Sequence, residues 1–146
     1  MPRHDGASEY RKVAQHRLHD AQELLDAPTL SVKVGNPETR HQRGAMYLAG
    51  YAVECILKAY IISCNSPSRT LAEVAPDLVT NAGHNLDRLL LRAGLEGSLG
   101  ERLRDWQLCR TWTPEWRYEP GIPSRGEAKN FVDATGRIHS WVRTMI

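Results

Sequence analysis

Between Arg43 and Ile62 the chain reads RGAMYLAGYAVECILKAYII, an apolar run interrupted inside only by Glu54 and, four residues later, Lys58. A run of this kind folds as a buried helix. The two charges, with Tyr47, Tyr51 and Tyr60, argue for the core of a bundle rather than a membrane span, so no membrane partner is expected. At about 100° per residue, Arg40, Arg43, Tyr47, Tyr51, Glu54 and Lys58 fall on one stripe. Ala45, Ala49, Ala52, Ile56 and Ala59 lie opposite, and their mostly small side chains admit a close helix neighbour. Glu54 is the only acid of its stripe. It can form an i,i+4 pair with Lys58, worth a few tenths of a kcal/mol. It can instead fix an arginine from another segment through a charge-assisted bond. Or the stripe is one wall of a ligand groove. Spacing leaves open whether Glu54 meets Lys58, Arg117 or water.

The rest of the chain reads as helices too. Tyr10, Val13, Ala14, Leu18, Ala21, Leu24 and Leu25 recur at three- and four-residue steps, the period of an amphipathic helix. Asn36-Pro37-Glu38 has the cap, N1 proline and first-turn acid of the helix that follows, which should run to about Cys64 before NSPSRT stops it. Pro76 limits the next stretch to a turn or two. HNLDRLLLRAGL predicts a short helix with Leu86, Leu89, Leu90 and Ala93 inward and Gly94 at C′. Ser98 to Glu101 reads as a capping box for a helix to about Arg110. TPEWRYEPGIP is a proline-interrupted loop. Ser124 to Glu127 caps a last helix with the stripe Ala128, Phe131, Thr135, Ile138, Val142 and Met145. With no alternating pattern longer than SVKV, the expectation is an all-α, up-and-down bundle of about five helices, two long and three shorter.

At 146 residues the chain reads as a single domain, with a core over about 8–144. A formal charge of +2 is too small for a dedicated nucleic-acid binder, so any basic surface must be local. Cys55, Cys64 and Cys109 lack metal-ligand spacing, and MPRHDGASEY has no apolar signal core, which makes a reducing cytoplasm the expected location. His16, His19, Asp20 and Glu23 share a face of the first helix, where a solvated surface is the simpler reading than a metal site. No metal and no cofactor is expected.

RLRDWQLCRTWTPEWRY interleaves Arg102, Arg104, Arg110 and Arg117 with Trp106, Trp112, Trp116 and Tyr118. Arginine beside exposed aromatics suits a nucleotide or single-stranded RNA, through phosphate neutralisation and a stacking face. Trp106 reads as core, while Trp112, Trp116 and Tyr118 stay open between core and ligand. His84, at the start of a short helix, reads as a cap or packing residue rather than a base.

Three segments in order resemble the HEPN-domain family of small helical proteins. YLAGYAVECILKAYI is similar to its second-helix signature, GHNLDRLLLRAGL to its H-x-L-x-x-L helix, and EWRYEP to its Arg-Tyr turn. The resemblance implies an α-helical bundle, commonly a homodimer. It also implies nucleotide or RNA as ligand in a prokaryotic stress, toxin–antitoxin or defence system, with a nucleotidyltransferase or antitoxin as partner protein. The family's ribonucleases carry Arg-x4-6-His near the last helices, where Arg holds the scissile phosphate and His moves a proton. Here neither Arg110 nor Arg117 has such a His, and the match Arg11 to His16 falls on the first helix, where it is coincidental. The expected ligand-facing set is therefore Tyr51, Glu54, Lys58, Arg110, Arg117 and Tyr118, with no catalytic residue assigned and Glu54 holding Arg117. The alternatives are a metal-independent ribonuclease toxin with His84 or Glu54 as base, and a non-catalytic protein-interaction module.

Overall fold

Among the residues described in the computed structural model (5–27, 40–65, 68–121 and 123–146), six α-helices surround one apolar core. They are α1 (Ala7–Asp26), α2 (Arg40–Asn65), α3 (Leu71–Val74), α4 (Leu86–Ala93), α5 (Leu103–Cys109) and α6 (Arg125–Arg143). Tight 3-10 turns occupy Pro76–Val79, Asn81–His84, Glu96–Ser98, Gly100–Arg102 and Pro114–Tyr118. No strand occurs among the described residues, only an isolated bridge between Gly6 and Thr70. The all-α expectation holds, with α3 as one extra turn and with three long helices rather than two. The expected cap at Asn36–Glu38 and the SVKV segment lie outside the described residues.

The fold is organised around α2, which packs against α1, α3, α4, α6 and the Pro114–Tyr118 turn. Its small-residue face explains the closeness: Ala45, Ala49, Ala52 and Ala59 are wholly buried, as are Ala14 and Ala21 of α1. α2 is the one helix among the described residues long and apolar enough to cross a membrane, yet 78% of its apolar window is buried inside the protein. Its apolar surface is already consumed by packing.

Local signals set most helix ends. Asn85 caps α4 by accepting from the Arg88 amide at 3.0 Å, and Gly94 ends it at φ 72°, a conformation that costs glycine nothing. Ser124 accepts from the Glu127 amide at 3.1 Å and starts α6. The Ser98 capping box does not form. Gly100 adopts φ 54° inside it, which breaks the helical path, so α5 begins only at Leu103. Trp106, Trp112 and Trp116 are all buried, which closes the question for the last two. Phe131, Thr135, Ile138 and Val142 of α6 face the core as expected, but Met145 lies past the helix end and is exposed.

Two contacts in this core generate predictions. A Cβ on Gly50 would lie 2.0 Å from the Trp112 ring, so that ring can rest on α2 only where a side chain is missing. Gly50→Ala should cost about 1–3 kcal/mol by overpacking, read as a lower urea midpoint. His139, buried on α6 with no protein partner for Nε2 among the described residues, has its pKa lowered from 6.5 by burial first and by Arg143 second. Below that ordinary value the unfolded chain binds the proton more readily. Stability present above about pH 6.5 is therefore lost as pH falls through the lowered folded value. Urea midpoints should fall with acidification across this window, and His139→Leu should flatten the decline.

Candidate functional site

The stripe read from α2 becomes one side of a groove of about 510 Å³, closed opposite by residues from α4, the end of α5 and the Pro114–Tyr118 turn. Tyr47 and Tyr51, one helical turn apart, lie parallel with ring centroids 6.5 Å apart. Trp112 sits 6.0 Å from Tyr47, and its Nε1 donates to the Tyr47 carbonyl at 3.0 Å. The ring thus occupies the gap at Gly50 and is fixed there by a hydrogen bond.

Glu54 and Lys58 lie behind this lining, both buried. Lys58 Nζ donates to Glu54 Oε2 at 2.9 Å and stands 5.7 Å from the Tyr10 ring centroid. The second carboxylate oxygen, Oε1, meets His84 Nδ1 at 2.8 Å. Gly83 makes this approach possible: a Cβ there would fall 1.7 Å from the Leu78 carbonyl oxygen and 3.3 Å from Lys58 Nζ. A carboxylate facing Nδ1 is satisfied by an N–H donor, which in the neutral imidazole leaves Nε2 with the lone pair. His84 lines the groove with its ring about half exposed, so an oriented imidazole faces the cavity.

The arginines are placed differently from one another. Arg110 donates from Nε and Nη2 to Asp87 Oδ2 at 2.9 and 2.7 Å, while Trp106 Nε1 donates to Asp87 Oδ1 at 2.9 Å. Arg117 has no carboxylate within ion-pair distance among the described residues. Its Nε donates to the Pro114 carbonyl at 3.2 Å, and its guanidinium carbon lies 5.7 and 5.2 Å from the Tyr47 and Tyr118 ring centroids. Glu115 hydrogen-bonds the Thr113 hydroxyl, which holds its carboxyl below the usual carboxylate range, with smaller help from Arg117 and His84. Arg43, further along α2, clamps the end of this segment. It donates to the Gly121 carbonyl at 2.8 and 3.2 Å, approaches Glu119 at 3.8 Å and lies over the Trp116 ring.

Tyr51, Arg110 and Arg117 of the sequence-derived set line the groove, and Glu54 and Lys58 stand behind it. Tyr118 does not line it; its exposed ring stacks on Arg117. The expected Glu54–Arg117 link is absent, because both oxygens of Glu54 are taken by Lys58 and His84. His84 is not the cap of α4, which is Asn85; its ring instead meets the buried Glu54. The residues that periodicity missed are His84 and Asp87, whose partners lie far away in sequence. Gly50 within an apolar helix was the available sign of a close approach. Burial pushes the Cys55 and Cys109 thiols up to about 12, so neither offers a thiolate near neutral pH. Burial likewise raises the Tyr51 hydroxyl above the ordinary tyrosine range.

No family model, curated protein or solved structure matches this chain. The groove therefore has to be read from its own chemistry. Its best-formed element is the buried carboxylate. Glu54→Gln removes the counter-charge of buried Lys58 and should cost about 3–5 kcal/mol. Adding Lys58→Met should recover part of that loss, measured as a double-mutant cycle in urea.

Proposed function

We propose that the chain is a nucleotide- or RNA-binding protein whose ligand occupies the groove between α2 and the Pro114–Tyr118 turn. The observation that carries this reading is Arg117, held between two tyrosine rings at the rim of an aromatic groove without a carboxylate partner among the described residues. Aromatic faces accept a base, and an unpaired guanidinium accepts a phosphate. The HEPN-like segments of the sequence agree with such a ligand, and with an accessory role in a prokaryotic stress or defence system beside a nucleotidyltransferase or antitoxin. A homodimer belongs to the same proposal.

A second reading, cleavage, is favoured by one observation, the Glu54–His84 contact at 2.8 Å. In that reaction Nε2 takes the proton of a ribose 2′-hydroxyl, and the 2′-oxygen attacks phosphorus. The bond to the 5′-oxygen breaks, and that oxygen leaves with a proton returned from the imidazolium. Arg117 neutralises the phosphate throughout. No metal takes part, so cleavage would survive EDTA.

Arg117→Ala should weaken nucleotide or short-RNA binding by about 1.5–3 kcal/mol, the range for a hydrogen bond to a charged group, and should reduce its salt dependence. Unchanged affinity in the folded variant would overturn the binding reading. Incubation with structured RNA in EDTA separates the two readings. Cleavage lost in His84→Ala supports the enzyme, and intact RNA with retained binding leaves the accessory role.

A further inference from the structure

Resting on the groove's assignment as a nucleotide site, we infer that it accepts one nucleotide unit bearing a single phosphate, a nucleoside monophosphate, and not an extended RNA chain. Charge balance carries the inference. The groove is lined by two arginines, Arg110 and Arg117, and by two carboxylates, Asp87 and Glu115, so its lining is formally neutral when His84 is neutral. Arg110 is already committed, with two nitrogens on Asp87. One guanidinium is therefore left to meet an anion. A polyanionic strand needs a succession of unpaired cations along its path, because its affinity comes from neutralising several phosphates at once. Here a second phosphate would instead meet Glu115 or Asp87.

The space agrees with the charge. About 510 Å³ lies within the roughly 300–1,000 Å³ that encloses one small ligand. Tyr47 and Tyr51, backed by the buried Trp112, give that ligand an apolar face, Arg117 takes its phosphate, and the Nε2 of His84 supplies a second polar contact. Two further concavities fit an anion less well: one of about 830 Å³ between α1, α5 and α6 sets Glu101, Asp105 and Asp133 against Arg102 and Arg137, and in one of about 660 Å³ beside α4 both Arg88 and Arg92 face Asp77.

The test is a calorimetric series on the whole protein with adenosine, adenosine 5′-monophosphate, adenosine 5′-triphosphate and oligoadenylates of two, four and eight nucleotides, repeated with uridine ligands. The monophosphate is expected to bind at least tenfold tighter than the nucleoside. Added phosphates or nucleotides are expected to change Kd by less than about threefold, with a salt slope no steeper than about −1, the value for a single phosphate. Arg117→Ala should abolish the advantage of the monophosphate over the nucleoside. Affinity rising tenfold or more from monomer to octamer, with a slope near −3 or steeper, overturns the inference. If that octamer binding also disappears in Arg117→Ala, the groove reading stands and only the single-phosphate restriction fails. If no ligand of either series binds, or if binding is indifferent to Arg117, the groove reading itself fails.

Discussion

A carboxylate buried inside a helical core must be matched atom for atom, and Glu54 is matched on both oxygens. Lys58 reaches one from the next turn of the same helix, and His84 reaches the other from a distant turn. Desolvating an ammonium and a carboxylate together is tolerable only with such geometry, which makes the position intolerant of displacement. The demand propagates outward. His84 must arrive at the right height above α2, so the Asn81–His84 turn must press against Leu78, and only glycine fits at position 83. The start of α4 follows directly, with its cap at Asn85.

The opposite side of the groove obeys a second carboxylate. Asp87, in the first turn of α4, where a helix favours negative charge, gathers the Trp106 indole and the Arg110 guanidinium. That gathering joins α5 to α4 and aims the chain after Cys109 back toward α2. Trp112 then lands on Gly50 and hydrogen-bonds the Tyr47 carbonyl. Three polar contacts thus position an aromatic cleft whose surface chemistry is left largely to Arg117 and His84. Most of the ionisable groups nearby serve architecture, and the few remaining ones define what the cleft can do.

Periodicity made the bundle readable because α1, α2, α4 and α6 each bury one face, and burial of that kind repeats every three to four residues. The α2 stripe was readable for the same reason, and Tyr51, Glu54 and Lys58 were singled out from it. What periodicity cannot convey is pairing across the chain. Glu54 and His84 are thirty positions apart, and nothing local to HNLDRLL distinguishes an oriented imidazole from a cap. Arginine was the natural guess for the partner of Glu54, yet histidine took the place because the chain needs Gly83 beside it to come close. The Ser98 capping box failed for an equally local cause, a left-handed glycine in its third position. The indoles stayed ambiguous because tryptophan suits a core and a ligand face alike, and Gly50 decided Trp112 in favour of the core.

The clamp formed by Arg43 has a further consequence. Arg43 holds the segment after the Arg117 turn, and Glu54 holds His84, so both walls are referred to one rigid rod. Eleven residues of helix separate the two anchors, about 16 Å along the axis. The width of the cleft is consequently written into the register of α2 and not into the connecting loops. Lengthening the Gly94–Gly100 connection leaves that distance untouched. A single residue inserted between Arg43 and Glu54 would turn one anchor by about 100° relative to the other and separate the two walls for good.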